Sequence, residues 1–569
     1  MKRLALASLV LVALQMPAHA YSIYDSTCAV PTTDASAKTF YVDPVRGATQ
    51  ANGGDGSQAH PWDSLNAVLS LYPPNNPPYP GYSVPPLLAL PYNHTAVNAA
   101  AGTKFYADTQ ADDPNHLRVW PGDTVLLESG NYGNLTLGVY QYKLANLDAT
   151  GHTKMVVIKN DVGSTPVFST IRIGGSTGFY FQGLKVQSLL SSAPANYAHV
   201  TIGGNAATPT KDIAFVGGTV GTYDSNPHLS QANLQATQRN GFTISGDPDH
   251  PEATQCVSIN TNNIHWVGNG AILDSFTDKF LASNNTISYF SGDAFDAYST
   301  SNARFNDNLV FDRVDDANGG HTDCFQIGHN FGNLTHWNFT NIEFSQNQCY
   351  QTWHADNPYP GYLQGVMITP EPGPNGQLDT FTNVRILDNK IVISTGNGID
   401  VSNTHNSLIA NNTTIWAGLP LPQGGAVEVG IGEDAKSSNN MFVNNVANGF
   451  GQSLDPTTNG STWSHNIAVP SLSGAQVVRP PSLLWPNHTQ NFYSVAGVYN
   501  GVTIDVAAPS DAFMNYAPSG TGLANSSSPN LAPLPNGALD GKGVAVPGGP
   551  AVNINGMPWP EGVPNIGAF

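Results

Sequence analysis

The chain has 569 residues, of which only 11% are charged, and it contains 57 glycines and 42 prolines. Its formal net charge of −19 predicts neither a nucleic-acid nor a membrane partner, because polyanions and anionic surfaces repel such a chain. The abundance of Gly, Pro, Asn, Thr and Ser is typical of turns and strands, so we expect an all-β protein with little helix.

Residues 1–20 have the features of a secretory signal peptide. A basic pair precedes an apolar stretch from Leu4 to Met16, and the segment ends in Ala18-His19-Ala20. The apolar stretch is too short to span a membrane. We therefore expect cleavage before Tyr21 and a mature protein that is secreted or periplasmic. Loss of the basic pair takes the formal charge from −19 to about −21.

Residues 21–165 are predicted to form an N-terminal cap and the first coils of a stacked fold. The segment KTFYVDP (Lys38 to Pro44) reads as a strand, and the segment from Gly53 to Leu71 as a loop that turns into a short amphipathic helix. A turn at Pro121-Gly122-Asp123 then leads into an apolar strand. Such a cap covers the backbone edge that a first coil would otherwise expose.

A repeated unit dominates residues 166–469. An acidic or amide residue, then Asn, then a short apolar run recurs at Asn284-Asn285, Asp307-Asn308, Gln346-Asn347, Asp388-Asn389, Asn411-Asn412 and Asn444-Asn445. The steps between units are 23, 39, 42, 23 and 33 residues. Each unit also holds a second apolar strand after a turn. Short strands of period two at a recurring spacing indicate a solenoid.

A parallel β-helix explains this repeat best, because aligned asparagines at one turn can hydrogen-bond along the stack as a ladder. We expect Asn285, Asn308, Asn389 and Asn412 to lie at the same turn with their side chains inside. An antiparallel sandwich is the alternative, but hairpin dipeptides are scarce between the strands. In residues 470–569 the repeat fades, which predicts a loop-rich C-terminal segment that packs on the solenoid or caps its end.

Two stretches carry a resemblance to a known superfamily. The order FYVDP…GGDGS…HPWDSLNAVL…WPGDTVLLESGNY and the closing INGMPWPEGVPNIGAF resemble secreted proteins of the pectate-lyase-like superfamily. The resemblance implies a right-handed parallel β-helix, in one long domain that we expect to be a monomer. That superfamily holds lyases, hydrolases, epimerases and catalytically silent members, so the resemblance implies little about the reaction.

Four cysteines, Cys28, Cys256, Cys324 and Cys349, permit two disulfides in three possible pairings in an exported protein. Their spacing matches no zinc motif. Cys324 and Cys349 fall on neighbouring coils, where two buried thiols are the alternative to a disulfide.

Polar residues recur at one position of the second strands. Alignment of those strands by their apolar residues gives the column Asp296, Gln326, Ile368, Asp400 and Glu428. This column faces outward if Phe295, Phe325, Met367, Ile399 and Val427 face inward. A polar row at strand spacing can bind successive units of a polysaccharide, and a merely solvated face is the alternative. We predict substrate binding by Asp296, Gln326, Asp400 and Glu428.

The scarce charges of the chain concentrate between residues 291 and 330. Asp293 and Asp323 occupy equivalent positions of adjacent coils, and the loop between them carries Arg313, Asp315, Asp316 and His321. Repulsion among these carboxylates must be offset by a metal, by basic side chains or by raised pKa values, and each of these can serve catalysis. A solvated acidic loop that caps turns is the alternative.

The first of three candidate mechanisms for this cluster is β-elimination on a uronate. The resemblance implies a Lys or Arg base beside calcium held by aspartates, and the basic residues nearest the cluster in sequence are Lys279, Arg304, Arg313 and His321. The calcium ligands would be imitated by Asp293, Asp296, Asp315, Asp316 and Asp323, but no residue matches a family motif closely enough to carry over a role. From the residues alone, we assign proton transfer to His321, whose pKa is ordinarily about 6.5. Arg313 would neutralise a substrate carboxylate, and Asp323 would orient these groups or bind the metal.

A glycoside hydrolase and a uronate epimerase are the other two mechanisms. Polygalacturonases carry NTD, DD, GHG and R-x-K in that order. This chain has HTD at His321 to Asp323, an earlier Asp315-Asp316 and Arg385-Ile386-Leu387, so it departs in order and identity. An epimerase shares its proton abstraction with a lyase. A non-catalytic carbohydrate-binding or surface β-solenoid is a further alternative, but it would spread its polar residues evenly.

The loop YQTWHADNPYPGYLQG, from Tyr350 to Gly365, lengthens its coil and is predicted to form a wall of the substrate groove. Trp353 and Tyr359 would stack on sugar rings, with His354 at the rim. Packing of these aromatic rings against the solenoid is the alternative.

Overall fold

The structure is a computed structural model. It describes residues 28, 37–49, 52–65, 69, 96–97, 105–106, 119, 122–138, 146–147, 153–187, 198–206, 209–222, 239–268, 270–315, 322–328, 338–351, 357, 359–370, 378–393, 397–417, 429–434, 436–452, 459–469, 491–493, 497–499, 502–506, 539, 543–544 and 567. This part of the chain is almost entirely β, with a 3-10 turn at Pro251–Ala253 and helical conformation at the buried Leu65 and Leu69. It contains no helix long and apolar enough to cross a membrane.

Each coil contributes strands to three parallel stacks, here named sheets A, B and C. Sheet A runs through Thr39–Val42, Thr124–Leu127, Val156–Asn160, Thr177–Gln182, Thr210–Val216, Thr254–Asn260, Asp278–Ser283, Ser301–Asn306, Asn338–Ser345, Thr380–Leu387, Leu408–Ala410, Met441–Val443 and Thr462–Ser464, with Thr404–His405 paired beside Thr380–Leu387.

Sheets B and C start from two long strands, Gly130–Gly138 and Pro166–Gly174, which contribute to both. Sheet B continues through Lys185–Gln187, Thr219–Gly221, Asn263–Val267, Thr286–Phe290, Leu309–Phe311, Gln348–Tyr350, Lys390–Ile393, Thr413–Trp416, Val446–Ala447, Ile467–Ala468 and Val502–Val506. Sheet C continues through Val200–Gly203, Phe242–Ser245, Gly270–Ser275, Asp293–Tyr298, Asp323–Gly328, Gln364–Thr369, Asn397–Val401, Gly430–Glu433 and Gly449–Gln452.

Within the described ranges, antiparallel strand pairs occur only outside these stacks or at their ends, and the isolated bridges Asp247–His250 and Val314–Pro360 are also antiparallel. The strand pairs are Ala96–Val97 with Phe105–Tyr106, Asn146–Leu147 with Thr153–Lys154, Asn491–Tyr493 with Gly449–Gln452, and Gly497–Tyr499 with Val502–Val506. The predicted all-β parallel β-helix is therefore confirmed, and its architecture is consistent with the right-handed form.

Buried asparagines form a ladder at the corner between sheets A and B. Its members are Asn262, Asn285, Asn308, Asn347, Asn389, Asn412, Asn445 and Asn466. In each step the backbone N–H and the side-chain Nδ2 of one asparagine donate to Oδ1 of the next, as Asn285 does to Asn308 at 2.9 and 3.0 Å. Nδ2 also donates to a main-chain carbonyl, such as that of Ile259. The predicted ladder is confirmed, because every polar atom of these amides is satisfied inside the solenoid.

The residue before each ladder asparagine turns the chain. Asn284, Asp307, Asp388 and Asn411 all have φ values between 53° and 56°. Asn and Asp tolerate this left-handed conformation better than other residues with a side chain, because their short polar groups bond locally. In each repeat, the first residue of the pair thus turns the backbone, and the second, an asparagine, hydrogen-bonds to the next coil.

Apolar side chains from all three sheets fill one continuous core from Phe40 to Ala468. Phenylalanines stack along it in the middle coils: the rings of Phe305 and Phe325 lie 4.7 Å apart, and those of Phe325 and Phe344 lie 4.5 Å apart. At the first coil, Phe40 stacks on Trp62 at 5.1 Å. Burial of aromatic rings in offset contact contributes strongly to such a core.

The described parts of the C-terminal segment lie against the outside of the solenoid. Leu539 packs with Ile415 and Val446, next to sheet B. Val544 exchanges two hydrogen bonds with the side chain of Asn444, at 2.7 and 3.0 Å. The boundaries predicted for the cap, the core and this segment stay predictions.

The four cysteines form two disulfides, so one of the three possible pairings is observed. Cys28 is bonded to Cys256 across 228 residues of sequence, and Cys324 is bonded to Cys349 across 25 residues. The first ties the N-terminal region to sheet A, and the second joins a strand of sheet C to a strand of sheet B on the following coil. Long closed loops restrict the unfolded chain, so the first is expected to stabilise the fold most.

Candidate active site

Coil length varies at the corner between sheets B and C, here called the B–C corner. The A–B connections that follow Ser301–Asn306, Asn338–Ser345 and Thr380–Leu387 all contain two residues. The B–C connections range from residues 291–292 in one coil to 312–322 and 351–363 in the next two. Two of the B–C connections are therefore long enough to form the wall of a binding groove.

Three buried carboxyl groups meet at this corner, and we call Asp293, Asp296 and Asp323 the aspartate cluster. Asp293 and Asp323 begin adjacent strands of sheet C, as predicted, and the backbone N–H of Asp323 donates to Oδ1 of Asp293 at 2.5 Å. The carboxyl groups of Asp293 and Asp296 are hydrogen-bonded to each other. The exposed fractions of the three residues are 8%, 2% and 0%.

Burial perturbs the protonation of this cluster. It raises the pKa of Asp296 to about 7, although hydrogen bonds from Asp293 and Tyr298 lower that pKa in part. Burial, and then the charges of Asp296 and Asp323, raise the pKa of Asp293 well above its ordinary value. Two interacting carboxyl groups of this kind hold one proton between them near neutral pH. The cluster then presents a proton donor beside a proton acceptor.

Tyr298 completes the cluster. Its hydroxyl donates to Oδ1 of Asp296 at 3.2 Å and lies 3.5 Å from Oε1 of Gln326 on the next coil. Burial, and then the carboxylates of Asp296 and Asp293, raise the pKa of Tyr298, so its hydroxyl keeps its proton. Tyr298 was not predicted from the sequence, although it follows Asp296 by two positions, which places both side chains on one face of the strand.

Arg313 lies beside the cluster and is 3% exposed. Its Nη2 donates to the carbonyl of Ser291 at 3.3 Å and to Oγ1 of Thr322 at 3.0 Å, and its Nη1 lies 3.7 Å from Asp315. A Cβ atom at Gly361 would overlap the guanidinium. Arg313 therefore joins the turns that precede Asp293 and Asp323, a positioning contact that the sequence did not predict.

The outward column of sheet C differs from the one predicted. Asp296 pairs with Gln326, Gln326 with Met367, Met367 with Asp400, and Asp400 with Gly432. The predicted placement of Ile368 in this column and Met367 in the core is wrong, since Ile368 packs inside with Val366. Glu428 lies outside the described residues, and the strand next to Asp400 starts later than predicted, at Gly430.

A second polar row lies at the start of the same strands, where Asp323 is followed by Gln364 and Asn397. Asp323 pairs with Gln364, and Nδ2 of Asn397 donates to Oε1 of Gln364 at 2.9 Å. Together with Asp293, these residues line four successive coils. This row places a polar side chain on each of four coils at the B–C corner, whereas the outward column is interrupted by Met367 and Gly432.

The remaining predicted site residues are dispersed or not described. Lys279 lies in sheet A, in a left-handed conformation, and does not join the aspartate cluster. Tyr359 packs with Val314, Trp266 and Tyr289, and the rings of the last two stack at 4.6 Å. The predicted residues outside the described ranges are His321, Asp316, Trp353 and His354.

The predicted calcium ligands are only partly described. Among the described residues, no group of three or more His, Cys, Asp or Glu side chains is arranged to hold a metal ion. Asp293 is engaged with Asp296 and with the N–H of Asp323, and Asp315 faces Arg313. These carboxylates do not by themselves fit a calcium site, and calcium binding that includes Asp316 stays a prediction.

Comparison with known proteins finds similarity at the level of solved structures. The chain is similar to a pectate lyase, with 14% identity, 95% of this chain and 97% of that chain covered, and a TM-score of 0.36. It is also similar to a surface adhesin of Streptococcus pneumoniae, with 8% identity, 61% of this chain and 76% of that chain covered, and a TM-score of 0.34. The A-module of a mannuronan C-5 epimerase of Azotobacter vinelandii matches with 13% identity, 61% of this chain and 82% of that chain covered, and a TM-score of 0.28. No family model and no curated protein matches the chain. A lyase, an epimerase and an adhesin are thus among its structural neighbours, while its own strand pairing identifies it as a parallel β-helix protein.

Proposed function

We propose that the chain is a secreted or periplasmic carbohydrate-active enzyme that acts on an acidic polysaccharide at the aspartate cluster. The observation that carries the proposal is the hydrogen-bonded pair Asp293 and Asp296, whose raised pKa values keep one proton in the pair near neutral pH. Groups used for acid–base catalysis work best when their pKa lies near the working pH. A purely structural solenoid has no need of such a buried pair at its most variable corner.

The reaction we propose is β-elimination by a polysaccharide lyase. A carboxylate of the cluster takes the proton from the carbon next to the uronate carboxyl group, and the electron pair of that C–H bond forms a carbon–carbon double bond. The neighbouring carbon–oxygen bond breaks, and the leaving oxygen takes a proton from the protonated carboxyl. Asp293 and Asp296 supply both partners, and Tyr298 holds Asp296 in place.

A glycoside hydrolase is the second candidate, and the pKa of about 7 at Asp296 favours it. A hydrolase needs one carboxyl that stays protonated to donate to the glycosidic oxygen and one carboxylate that activates water or attacks the sugar. Asp293, which donates its proton to Asp296 within the pair, suits the first role, and Asp296 or Asp323 suits the second. A uronate epimerase would use the same proton abstraction without cleaving the polymer.

One experiment separates these reactions. The purified protein is mixed with polygalacturonate, alginate and hyaluronate, and ultraviolet absorbance, reducing ends and proton NMR spectra are followed together. A lyase raises absorbance and reducing ends, a hydrolase raises reducing ends alone, and an epimerase changes only the NMR spectrum. Absence of all three changes on these and on further acidic polysaccharides would refute an enzymatic function.

The matched variants are Asp296→Asn and Asp249→Asn, since Asp249 is an exposed aspartate in a turn. Asp296→Asn is expected to lose roughly 10²- to 10⁴-fold in turnover, the usual contribution of one acid–base group. Asp249→Asn is expected to keep wild-type turnover. Addition of a chelator and then of calcium tests the predicted metal dependence in the same assay.

A further inference from the structure

A serine, a histidine and an asparagine form one hydrogen-bonded row at the corner between sheets C and A, here called the C–A corner. The coil that contains Asn397–Val401 turns there at Asn403, whose φ is 47°, into the short strand Thr404–His405 at the edge of sheet A. On the next coil, Ser438 is joined to His405 by a parallel bridge. The C–A corner is the opposite edge of sheet C from the aspartate cluster, so this row is a separate site.

The imidazole of His405 connects the other two side chains. Its Nδ1 lies 2.7 Å from Oγ of Ser438, and its Nε2 lies 3.3 Å from Oδ1 of Asn403. Backbone hydrogen bonds hold the two coils in register, because the N–H of Ser438 donates to the carbonyl of Thr404 at 3.0 Å and the N–H of Asn406 donates to the carbonyl of Ser438 at 3.1 Å. Ser438, His405 and Asn403 are all half-buried, so the row is fixed by the fold and still meets solvent.

Asn403 determines the tautomer of His405. Its Nδ2 donates to the carbonyl of Asp379, which leaves Oδ1 as the atom that faces the ring. Its backbone N–H donates to Oδ1 of Asp434 at 3.0 Å, which holds the turn in place. An amide oxygen can only accept, so Nε2 of His405 carries the hydrogen, and Nδ1 accepts the hydroxyl proton of Ser438.

The protonation of His405 suits a base. Burial lowers the pKa of His405 below its ordinary value of 6.5, and the carboxylate of Asp434 opposes this shift in part. The ring is therefore mostly neutral at pH 7 and can take a proton. A hydroxyl within hydrogen-bond reach of a base, with the base oriented by a third group, is the arrangement that activates serine as a nucleophile.

We infer that Ser438 is the nucleophile of a second, esterase-type site, with His405 as its base and Asn403 as the residue that orients the base. The substrate class is a carboxylic ester. This inference goes beyond the proposed function and does not depend on it, because none of the three residues belongs to the aspartate cluster.

The reaction proceeds through an acyl-serine. Oγ of Ser438 bonds to the ester carbonyl carbon while Nδ1 of His405 takes the hydroxyl proton. The carbon–oxygen bond to the alcohol then breaks, and the alcohol leaves with that proton. Water attacks the acyl-serine in the same way, which releases the carboxylic acid and restores the hydroxyl. The exposed amides of Asn406 and Asn439, which directly follow His405 and Ser438, are the side-chain donors nearest in sequence for the oxyanion.

Labelling with a fluorophosphonate probe tests the nucleophile. The full-length protein is incubated with the probe at pH 7.5, and the adduct is located by mass spectrometry of its peptides. We expect the adduct on Ser438, and its rate of formation should fall roughly 10²- to 10⁴-fold in His405→Gln, the usual contribution of one base. Ser464→Ala, which removes an exposed serine of sheet A, should be labelled like the unsubstituted protein. An adduct on another serine, or no adduct, overturns the inference.

Hydrolysis of p-nitrophenyl acetate provides the second readout. Because neutral His405 is the reactive form, the rate should rise with pH and reach half its maximum below pH 6.5. Asn403→Asp keeps an acceptor oxygen and adds a negative charge, so this midpoint should move to higher pH, whereas a merely structural Asn403 would leave it in place.

The outcome for this site is distinguishable from that for the polysaccharide reaction. Ser438→Ala should lose ester hydrolysis and keep polysaccharide activity, and Asp296→Asn should do the reverse. A Ser438→Ala protein that hydrolyses the ester as fast as Ser464→Ala overturns the inference and leaves the proposed function standing. Ester hydrolysis that depends on Ser438, in a protein that converts no acidic polysaccharide, supports this site and refutes the proposed function alone.

Discussion

The substitution Asp296→Asn is expected to make the protein more stable at alkaline pH while it removes activity. Burial raises the pKa of the Asp296 carboxyl from 3.8 to about 7. The folded state therefore binds a proton that the unfolded state releases, so its stability is full below pH 4 and declines as pH rises to 7. At about 1.4 kcal/mol per pKa unit, ionisation of Asp296 costs the fold about 4 kcal/mol at most.

Asparagine is neutral at every pH and keeps the shape of the side chain. Its carbonyl oxygen can accept from Tyr298, and its amide can donate to Asp293, so the local hydrogen bonds are retained. Tm is measured by scanning fluorimetry at pH 4.5 and pH 8 for the wild type, Asp296→Asn and Asp249→Asn. We expect the variant to match the wild type at pH 4.5 and to exceed it by several degrees at pH 8.

Two results would refute this reasoning. A variant that is less stable than the wild type by the same amount at both pH values would show that Asp296 is an ordinary structural carboxylate. Equal pH dependence in the wild type and in Asp296→Asn would show that Asp296 ionises without cost. Asp249→Asn should follow the wild type throughout, because its carboxylate is exposed.

Three further changes test the fold and the site. Asn347→Ala removes the oxygen that accepts two hydrogen bonds from Asn308, and it removes the two hydrogen bonds that Asn347 Nδ2 donates. Tm should therefore fall by an amount equivalent to about 3 kcal/mol or more, and an unchanged Tm would contradict the ladder's role. Gly361→Ala should displace Arg313 and lower kcat/KM, and a crystal structure with Arg313 unmoved would count against it. Tyr298→Phe removes a hydrogen bond that lowers the pKa of Asp296, so the limb of the pH–rate profile that reports Asp296 should move to higher pH; a limb that stays in place would exclude Asp296 as its source.

The ladder was predictable because a left-handed turn and a buried amide contact each restrict the residue type, so the pair can be recognised in the sequence. A left-handed corner favours Asn or Asp, and an interior amide that both donates and accepts must be Asn or Gln. The pattern missed the two ends of the ladder, Asn262 and Asn466. Thr261 and His465 precede them in the same left-handed conformation, but neither is an amide or an acid.

The register of sheet C was predictable only where apolar and polar residues alternate. Phe295 and Asp296 align with Phe325 and Gln326 without ambiguity. Val366, Met367 and Ile368 are all apolar, so a shift of one position is invisible in the sequence, and it reverses the face of every side chain. The misplacement of Met367 and Ile368 has this cause.

The aspartate cluster was located by sequence, but its protonation was not. The equivalence of Asp293 and Asp323 follows from the repeat, whereas the shared proton depends on the depth of burial, which no local pattern reports.

The A–B connection has a constant length of two residues and carries the amide ladder, whereas the connections that vary in length lie at another corner. Insertions at the A–B corner would break the amide contacts of Asn308, Asn347 or Asn389, whereas the B–C corner already accommodates connections of very different length. Exchange of residues within 312–322 or 351–363, with the buried Arg313 and Leu363 retained, is therefore expected to leave the core register intact. A lineage of such proteins can acquire new substrates by replacing loops on one edge while the opposite edge stays unchanged.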